Sequence, residues 1–316
     1  MVLAVGLVVT LLAWRGQSRY NELELQAEFE ARVVDGSSRV QLRMDSYQQV
    51  LRGVSGLLST GNEVSREQFR AYVQALNLAD RYPGIQGVGF NVLVPQAAKE
   101  AHIQAVRRSG VPDYDIRPPG VRDPYTAIVF IEPFAGRNLR ALGFDTYAEP
   151  IRRAAMDRAW ETGQSALTGR LTLVQETAND VQAGVLMFLP LYYHAAQAGT
   201  VDERRASLRG WISGVFRMKD LMAGILGSRQ DDVVIRIFDG NRADPAQLLY
   251  DSQPAGDRPA AASRYTSSSL IDVAGRQWTM SFHSTPAFEA RLQVGSARMV
   301  AGAGVCGSVM LALLVL

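Results

Sequence analysis

An apolar stripe with helical spacing runs through the early part of the chain. Six apolar residues follow one another at intervals of four and three: Val40, Met44, Tyr47, Leu51, Val54 and Leu58. This heptad spacing predicts a long helix over residues 16–62. Upstream, the segment ELELQAEFE alternates by two, which weakens the helix prediction there. The stripe either packs on its own domain or forms a dimer seam, and its spacing favours neither.

Past this helix, apolar runs alternate with short amphipathic segments in two stretches of chain. Ser65 to Gln68 has the capping-box pattern, which predicts that a helix begins there. In the first stretch the predicted strands are 84–94, 126–134, 170–176 and 183–193, and the predicted helices are 96–108 and 150–162. In the second stretch the predicted helix is 218–226, and the predicted strands are 209–216, 233–239, 247–252, 265–273 and 276–284. This mixture favours an α+β fold with antiparallel sheets.

Both ends of the chain are apolar. Residues 1–14 and 299–316 carry no charge, and as helices they would reach ~21 Å and ~27 Å of a ~30 Å hydrocarbon core. We expect two truncated transmembrane helices, at 1–15 and 297–316, in a chain cut from a longer protein. A signal peptide is the rival for the first run, although it lacks a positive n-region. A buried core helix is the rival for the second.

Composition excludes several classes of function. The formal net charge is only +2 and the basic residues are scattered, so we expect no nucleic-acid partner. Cys306 is the single cysteine, and the three histidines lie far apart in sequence, so we expect no zinc site. The sequence has no Walker loop, GxSxG or HExxH motif. We therefore expect no catalysis and no cofactor. Glu176 and Asp180 are interpreted as a solvated loop end rather than an acid–base pair.

Asp145 raises a specific question, because it ends the short apolar run Leu142-Gly143-Phe144. One interpretation is that its carboxylate accepts backbone N–H bonds at the start of the helix predicted from Pro150. Thr146 and Glu149 also have the spacing of a capping box there. The other interpretation is that Asp145 faces a ligand. A buried carboxylate requires donors in either case, and one residue could do both.

Five segments in order and spacing resemble the CHASE domain, the extracytoplasmic sensor of certain bacterial kinases and cyclases and of plant cytokinin receptors. The segments are YPGIQGVGF (82–90), YTAIVFIEPF (125–134), LGFDTYAEPIRRAAMDRAWETG (142–163), LTLVQE (171–176) and GVLMFLPLYY (184–193). The resemblance implies a long N-terminal helix followed by two PAS-like antiparallel-sheet subdomains. The membrane-distal, ligand-binding subdomain would be 63–200 and the membrane-proximal one 207–290.

The resemblance also implies a set of ligand-binding residues. In the plant receptors the acid after the LGF-like segment binds adenine-type N–H groups, and its match here is Asp145. A backbone contact 22 positions later falls on Leu167, and Phe130 matches an aromatic residue of the pocket strand. A threonine of the plant pocket is Met187 here, which argues against a cytokinin, although another adenine-like ligand stays open. The remaining predicted walls are Phe90 and Phe144.

The expected function is that of a sensor. Family members are dimers, so we expect a homodimer in the plasma membrane with residues 16–296 outside the cytoplasm. An unidentified small molecule would bias the paired helices, and a missing cytoplasmic histidine kinase or diguanylate cyclase would respond. The alternatives are a membrane-anchored interaction or scaffold domain without a small ligand, and a membrane-anchored enzyme.

Overall fold

The computed structural model describes residues 2–59, 63–177, 180–193, 199–227, 232–253, 263–291 and 296–314. The domain boundaries predicted near residues 62 and 200 therefore fall at or beside segments outside the described residues. The same holds for residues 1, 315 and 316 of the two predicted membrane spans.

The first helix, α1, is a single element from Val2–Leu58. It continues through the alternating segment, where the sequence weakened the prediction of a helix. Leu25 and Phe29, four residues apart, are buried there, whereas Leu23 is 60% exposed. The buried residues of this segment therefore follow helical spacing. The prediction of a weaker helix, made from the twofold alternation, was wrong.

The apolar stripe of α1 is buried within its own domain. All six residues from Val40 to Leu58 are at most 1% exposed, and the Tyr47 ring lies 4.9 Å from that of Phe216. They share one core with Met187 and Ile212 of the sheet. Of the two readings left open by the sequence, packing on its own domain is therefore the observed one, and this stripe is not free to form a dimer seam.

Five antiparallel strands form the first sheet, in the order β2-β1-β5-β4-β3. The strands are β1 (Ile85–Val94), β2 (Tyr125–Glu132), β3 (Ala166–Leu167), β4 (Gly184–Tyr192) and β5 (Leu208–Arg217). The helices of this unit are α2 (Arg66–Ala75), α3 (Leu78–Arg81), α4 (Lys99–Arg108), α5 (Pro150–Thr162) and α6 (Val201–Ala206). The predicted capping box of Ser65 and Gln68 is confirmed at α2.

Two strand assignments differ from the prediction. The strand predicted at 209–216 was placed in the second unit, but β5 pairs with β1 on one side and with β4 on the other. It is the central strand of the first sheet, because hydrogen bonding rather than chain order decides which sheet a strand joins. The strand predicted at 170–176 does not form. Only Leu171 bridges to Gly184 there, and the neighbouring β3 pairs with β4 instead.

Four antiparallel strands form the second sheet, in the order β7-β6-β9-β8. They are β6 (Val233–Asp239), β7 (Leu248–Asp251), β8 (Thr266–Val273) and β9 (Arg276–Ser284), with helices α7 (Met218–Leu226) and α8 (Pro286–Ala290). Phe29 of α1 packs on Phe288 of α8 at 6.1 Å between ring centroids. One helix therefore supports both sheets.

The last helix, α9 (Ser296–Leu314), runs antiparallel to the start of α1. Glycines allow this close approach, since a Cβ at Gly6 would lie 2.6 Å from the Ser308 hydroxyl oxygen and one at Gly304 would lie 2.4 Å from Thr10. Among the residues that the structure describes, neither these two helices nor any other combines the length and the apolar character needed to cross a bilayer. The two spans stay predictions.

Candidate ligand-sensing site

Asp145 lies in the first unit and is fully buried. It is the N-cap of a short 3₁₀ turn, Thr146–Ala148, and its Oδ1 accepts the backbone N–H of Tyr147 at 3.2 Å. The same oxygen accepts the backbone N–H of Thr126 at 2.9 Å and its hydroxyl at 3.1 Å. Oδ2 accepts Nε of Arg122 at 2.7 Å. The carboxylate is thus held by donors from three segments of the chain.

Asp145 is a cap, although of a different element from the one predicted. Glu149, rather than Asp145 or Thr146, caps helix α5, because its carboxylate accepts the backbone N–H groups of Ile151 and Arg152, both at 3.0 Å. The 3₁₀ turn separates the two caps. The sequence predicted a cap near this point. It contained no pattern that would predict the short 3₁₀ turn between Asp145 and Pro150.

A buried polar network extends from Asp145 across the sheet. The hydroxyls of Thr126 and Thr146 lie 2.8 Å apart, and Thr146 donates to Oδ1 of Asn91 at 3.4 Å. Nδ2 of Asn91 donates to the carbonyl of Trp211 at 3.1 Å and to the hydroxyl of Ser213 at 2.9 Å. None of these residues was among the predicted site residues. The signal that could have found them is Asn91 itself, a polar residue inside the apolar strand GIQGVGFNVLV.

Four of the six predicted ligand-binding residues belong to or pack against one core, whereas Asp145 and Phe144 lie outside it. Phe90, Leu167 and Met187 belong to the core that includes α1. Phe130 stacks on Phe69 of α2 at 5.1 Å, whereas Phe144 packs in a separate small cluster beside β2. Side chains alternate between the faces of a strand, so Phe90 turns towards α1 while its neighbour in β1, Asn91, joins the polar network.

The backbone of Leu167 is also engaged within the protein. Its N–H donates to the carbonyl of Ala274 at 3.2 Å, and its carbonyl accepts Nη2 of Arg158 at 2.7 Å. A ligand acceptor on this N–H would have to replace the bond to Ala274, whereas a ligand donor could share the carbonyl, which has a second lone pair.

Arg152 of α5 is buried beside Phe144, with a side chain only 5% exposed. Its guanidinium carbon lies 4.7 Å from the centroid of the Phe144 ring. Glu149 is 3.8 Å away, Nη2 reaches the carbonyl of Thr172 only at 3.4 Å, and Nε has no hydrogen-bond partner among the described residues. Burial lowers the pKa of Arg152, and the charge of Glu149 opposes that shift. This buried cation therefore retains donor capacity.

Arg217, at the end of β5, is equally buried and fully paired. Its Nε and Nη2 donate to the two oxygens of Glu176 at 2.7 Å and 3.1 Å, and Asp180 and Asp220 each accept at 2.6 Å. The hydrogen bonds that Arg217 donates, those to Glu176 first among them, raise the pKa of Arg217. The side chain of Glu176 is 4% exposed, so the predicted solvated loop end was wrong for this residue. It holds for Asp180, which is 52% exposed.

Metal chemistry finds no support at these positions. No group of three or more His, Cys, Asp or Glu side chains that could hold an ion occurs within the described ranges. The polar groups that do cluster are hydroxyls, amides, carboxylates and guanidiniums, which recognise ligands through hydrogen bonds and charge.

A long helix carries two antiparallel sheets, and a buried polar network lies on the first sheet. The chain belongs to the CHASE domain family, whose model matches residues 62–250. This match covers more than half of the chain, including the first sheet and Asp145, and it confirms the resemblance read from the sequence.

Two solved structures are similar to this chain at low sequence identity. The periplasmic sensory domain of the Campylobacter jejuni chemoreceptor Tlp1 has a TM-score of 0.51 and 9% identity, over 87% of this chain and 100% of that one. The extracellular domain of the predicted histidine kinase soHK1S-Z6 has a TM-score of 0.43 and 12% identity over the same shares. At this identity the likeness to Tlp1 concerns the fold alone, and the second likeness carries no argument.

Proposed function

We propose that this chain is the extracytoplasmic sensory region of a membrane-bound bacterial signalling receptor. The observation that carries the proposal is the CHASE match over residues 62–250, on a fold in which one helix supports both sheets. A small ligand bound in the first unit would favour one of two arrangements of α1. A cytoplasmic histidine kinase or diguanylate cyclase would then respond to that arrangement.

The proposal includes two membrane spans, at the paired ends of α1 and α9, with residues 16–296 on the extracytoplasmic side of the plasma membrane. Its support is the apolar surface of these ends. Eight large apolar side chains there are more than half exposed: Val5, Val8, Val9, Leu12, Met299, Met310, Leu313 and Leu314. Contiguous exposed apolar side chains mark contact with a membrane or a protein.

The proposal also includes a homodimer. Because the heptad stripe is buried within its own domain, the dimer would use the opposite side of α1. Leu23, Val34 and Leu42 support this choice, since they are 60%, 65% and 69% exposed on that helix. Cross-linking of cysteines introduced one at a time at Val34 and Leu42 in a Cys306→Ser background, compared with one at the buried Met44, tests this arrangement.

For the ligand site, the proposal keeps Asp145 and Phe144 from the predicted set and adds Arg152. A ligand N–H group, such as that of an adenine-like compound, would take the place of Arg122 on Asp145. Arg122 can yield this position, because its side chain is 26% exposed and can turn towards water. Arg152 would offer its remaining donors to an acceptor of the same ligand, and Phe144 would supply an apolar wall.

Thermal melting of the full chain against a metabolite panel tests the ligand site. A ligand present at ~100 times its Kd adds ~2.7 kcal/mol to the free energy of unfolding, which should raise Tm by about 5–10 °C. Asp145→Asn should abolish the shift. Asp244→Asn is the matched control, since Asp244 is also an aspartate that caps a 3₁₀ turn, Pro245–Gln247, and accepts one backbone N–H. It should retain the full shift. A full shift in Asp145→Asn would remove Asp145 from the site.

The second candidate function is a membrane-anchored interaction domain without a small ligand. The observation that favours it is the complete engagement of Asp145 by protein donors. Under this alternative no compound of the panel shifts the melting of the wild type. Asp145→Asn would still lower Tm, because capping of the 3₁₀ turn and the ion pair with Arg122 would be weakened.

A further inference from the structure

A groove of about 470 Å³ lies where the two sheets meet. One wall is the outer face of α5, from Pro150 to Arg158, and the floor is Leu167 with the segment that follows it. The opposite wall comes from the second unit: Asp239 ends β6 and Arg276 begins β9. We call this cavity the seam groove. Its volume lies within the range of small-molecule sites.

Three guanidinium groups and one carboxylate line the seam groove: Arg158, Arg170, Arg276 and Asp239. Arg276 and Asp239 neutralise each other, since Nε and Nη2 of Arg276 donate to the two carboxylate oxygens, the second at 2.7 Å. Asp239 also accepts the backbone N–H of Arg170 at 2.9 Å and has a side chain only 1% exposed. This pair is therefore structural.

Arg158 and Arg170 contribute charge that no ion pair among the described residues neutralises. Arg158 donates to the carbonyl of Leu167 at 2.7 Å, and Arg170 donates to the carbonyl of Leu248 at 3.0 Å. Both acceptors are neutral, and in the described part of the chain no carboxylate forms an ion pair with either arginine. The groove thus carries two cations that its own acid does not balance.

Arg158 is also incompletely bonded. Its Nε is buried and has no hydrogen-bond partner among the residues described. Burial lowers the pKa of its guanidinium, the charge of Arg276 adds to that shift, and Asp272 opposes it. An anion in the groove would accept a hydrogen bond from Nε of Arg158. Its negative charge would also reduce the repulsion between the guanidinium groups of Arg158 and Arg276.

We infer that the seam groove binds a small multivalent oxyanion, with carboxylate or phosphate groups held by Arg158 and Arg170. Guanidinium groups present paired N–H donors that match the oxygens of these anions. The site uses none of the residues proposed for the ligand of the first unit, so it is a second site on the chain.

An anion in this groove would touch both units at once. Arg158 belongs to α5 on the first sheet, and the Arg276–Asp239 pair belongs to the second. The two units already meet here through the bond from Leu167 to Ala274. A bound anion would therefore stabilise one relative placement of the two sheets.

Isothermal titration of the full chain with inorganic phosphate and, separately, with succinate tests the inference. Ionic strength is held constant with sodium chloride, because exposed charge interactions are screened by salt. We expect saturable binding of at least one of the two anions. Binding of phosphate alone would indicate a ligand that carries phosphate groups. Binding of succinate alone would indicate a ligand that carries carboxylate groups. Binding of both would indicate that the groove recognises the oxyanion chemistry that the two share.

The variants Arg158→Gln and Arg170→Gln should each weaken the affinity by about tenfold or more, since each removes charge-assisted hydrogen bonds. The double variant should abolish binding. Arg153→Gln is the matched control, because it makes the same change on the exposed side of α5, outside the groove. Circular dichroism and the Tm without anion establish that each variant is folded.

Two results would overturn the inference: no saturable binding of either anion by the wild type, or unchanged binding by the folded double variant. Asp145→Asn separates this site from the proposed sensory site. It should bind the anion as the wild type does, whether or not the first unit senses a ligand.

Discussion

Arg152 and Arg217 are buried to nearly the same degree, with side chains 5% and 4% exposed, yet their surroundings are opposite. Three carboxylates surround Arg217 and raise its pKa, whereas burial lowers the pKa of Arg152 and a single glutamate, 3.8 Å away, opposes the shift. A buried charge that is fully paired fixes a structure. A buried charge with unused donors is a candidate for binding. Partner number, rather than burial, therefore separates the two roles.

The two arginines also differ in what they join. Arg217 ties the end of β5 to Glu176 and Asp180 in the loop before β4, and to Asp220 in α7. Arg152 contacts its own helix, a carbonyl and the face of Phe144. Removing the first should open a junction between elements. Removing the second should leave the fold intact.

The largest effect is expected from Arg217→Met, which leaves Glu176 buried without its cation. Breaking a buried ion pair in this way costs about 3–5 kcal/mol of unfolding free energy. Urea denaturation followed by circular dichroism measures the loss. Arg242→Met, at an exposed arginine, is the control and should change the free energy by no more than about 0.5 kcal/mol. A loss of less than about 1 kcal/mol for Arg217→Met would remove the distinction between the two arginines.

Asp145→Ala should have the next largest effect, because it leaves the N–H group of Thr126 without its acceptor. The N–H group of Tyr147 keeps the hydroxyl of Thr126 as an acceptor at 2.8 Å. Arg122, one quarter exposed, can recover solvation. The expected cost is about 2–4 kcal/mol, measured by the same denaturation. Asp244→Ala removes an exposed cap and should cost about 1 kcal/mol. Equal costs for the two variants would mean that burial adds nothing to the role of Asp145.

Arg152→Met should leave stability unchanged or raise it by up to about 1 kcal/mol, since an under-paired buried charge is replaced by an apolar side chain of similar length. Thermal melting should therefore show a Tm equal to or slightly above that of the wild type. Arg153→Met, at the exposed neighbouring position, controls for the change in net charge. A loss of more than about 2 kcal/mol would make Arg152 structural, like Arg217, and would remove it from the proposed ligand site.

The smallest effect concerns pH and the exposed partner of Arg217. The hydrogen bond from Arg217 lowers the pKa of Asp180, so this pair contributes stability above the ordinary aspartate pKa and loses it as the pH falls through the lowered value. Asp180→Asn should accordingly lower Tm slightly at pH 7. Its difference from the wild type should disappear as the pH falls below the lowered pKa. A difference that persists at low pH would place the effect outside this ion pair.

The helical spacing and the twofold alternation of apolar residues predicted most helices and strands of the fold. The stripe from Val40 to Leu58 gave the buried face of α1, and the strands β1, β4, β6, β8 and β9 lie within a residue or two of their predicted ranges. What the stripe packs against, and which sheet contains β5, depend on contacts between distant segments. No local pattern encodes such contacts.

The candidate site was less accessible from sequence. Asp145 was singled out by its place after an apolar run, whereas no pattern marked Arg152 among the polar residues of the helix predicted at 150–162. Glu176 and Arg217 are 41 residues apart, so nothing in their neighbourhoods indicated a pair. Phe90 and Asn91 are consecutive residues of β1. Because successive side chains of a strand point to opposite faces, the sequence could have predicted that these two point in opposite directions.

One core cluster runs without interruption from Leu25 of α1 through both sheets to Phe288 of α8. Its consequence is cooperativity. Because the same helix contributes apolar side chains to both sheets, neither sheet can melt without exposing the core of the other. Calorimetry should record one transition, with equal calorimetric and van't Hoff enthalpies. Any change that stabilises the first sheet would then raise the melting temperature of the second sheet as well.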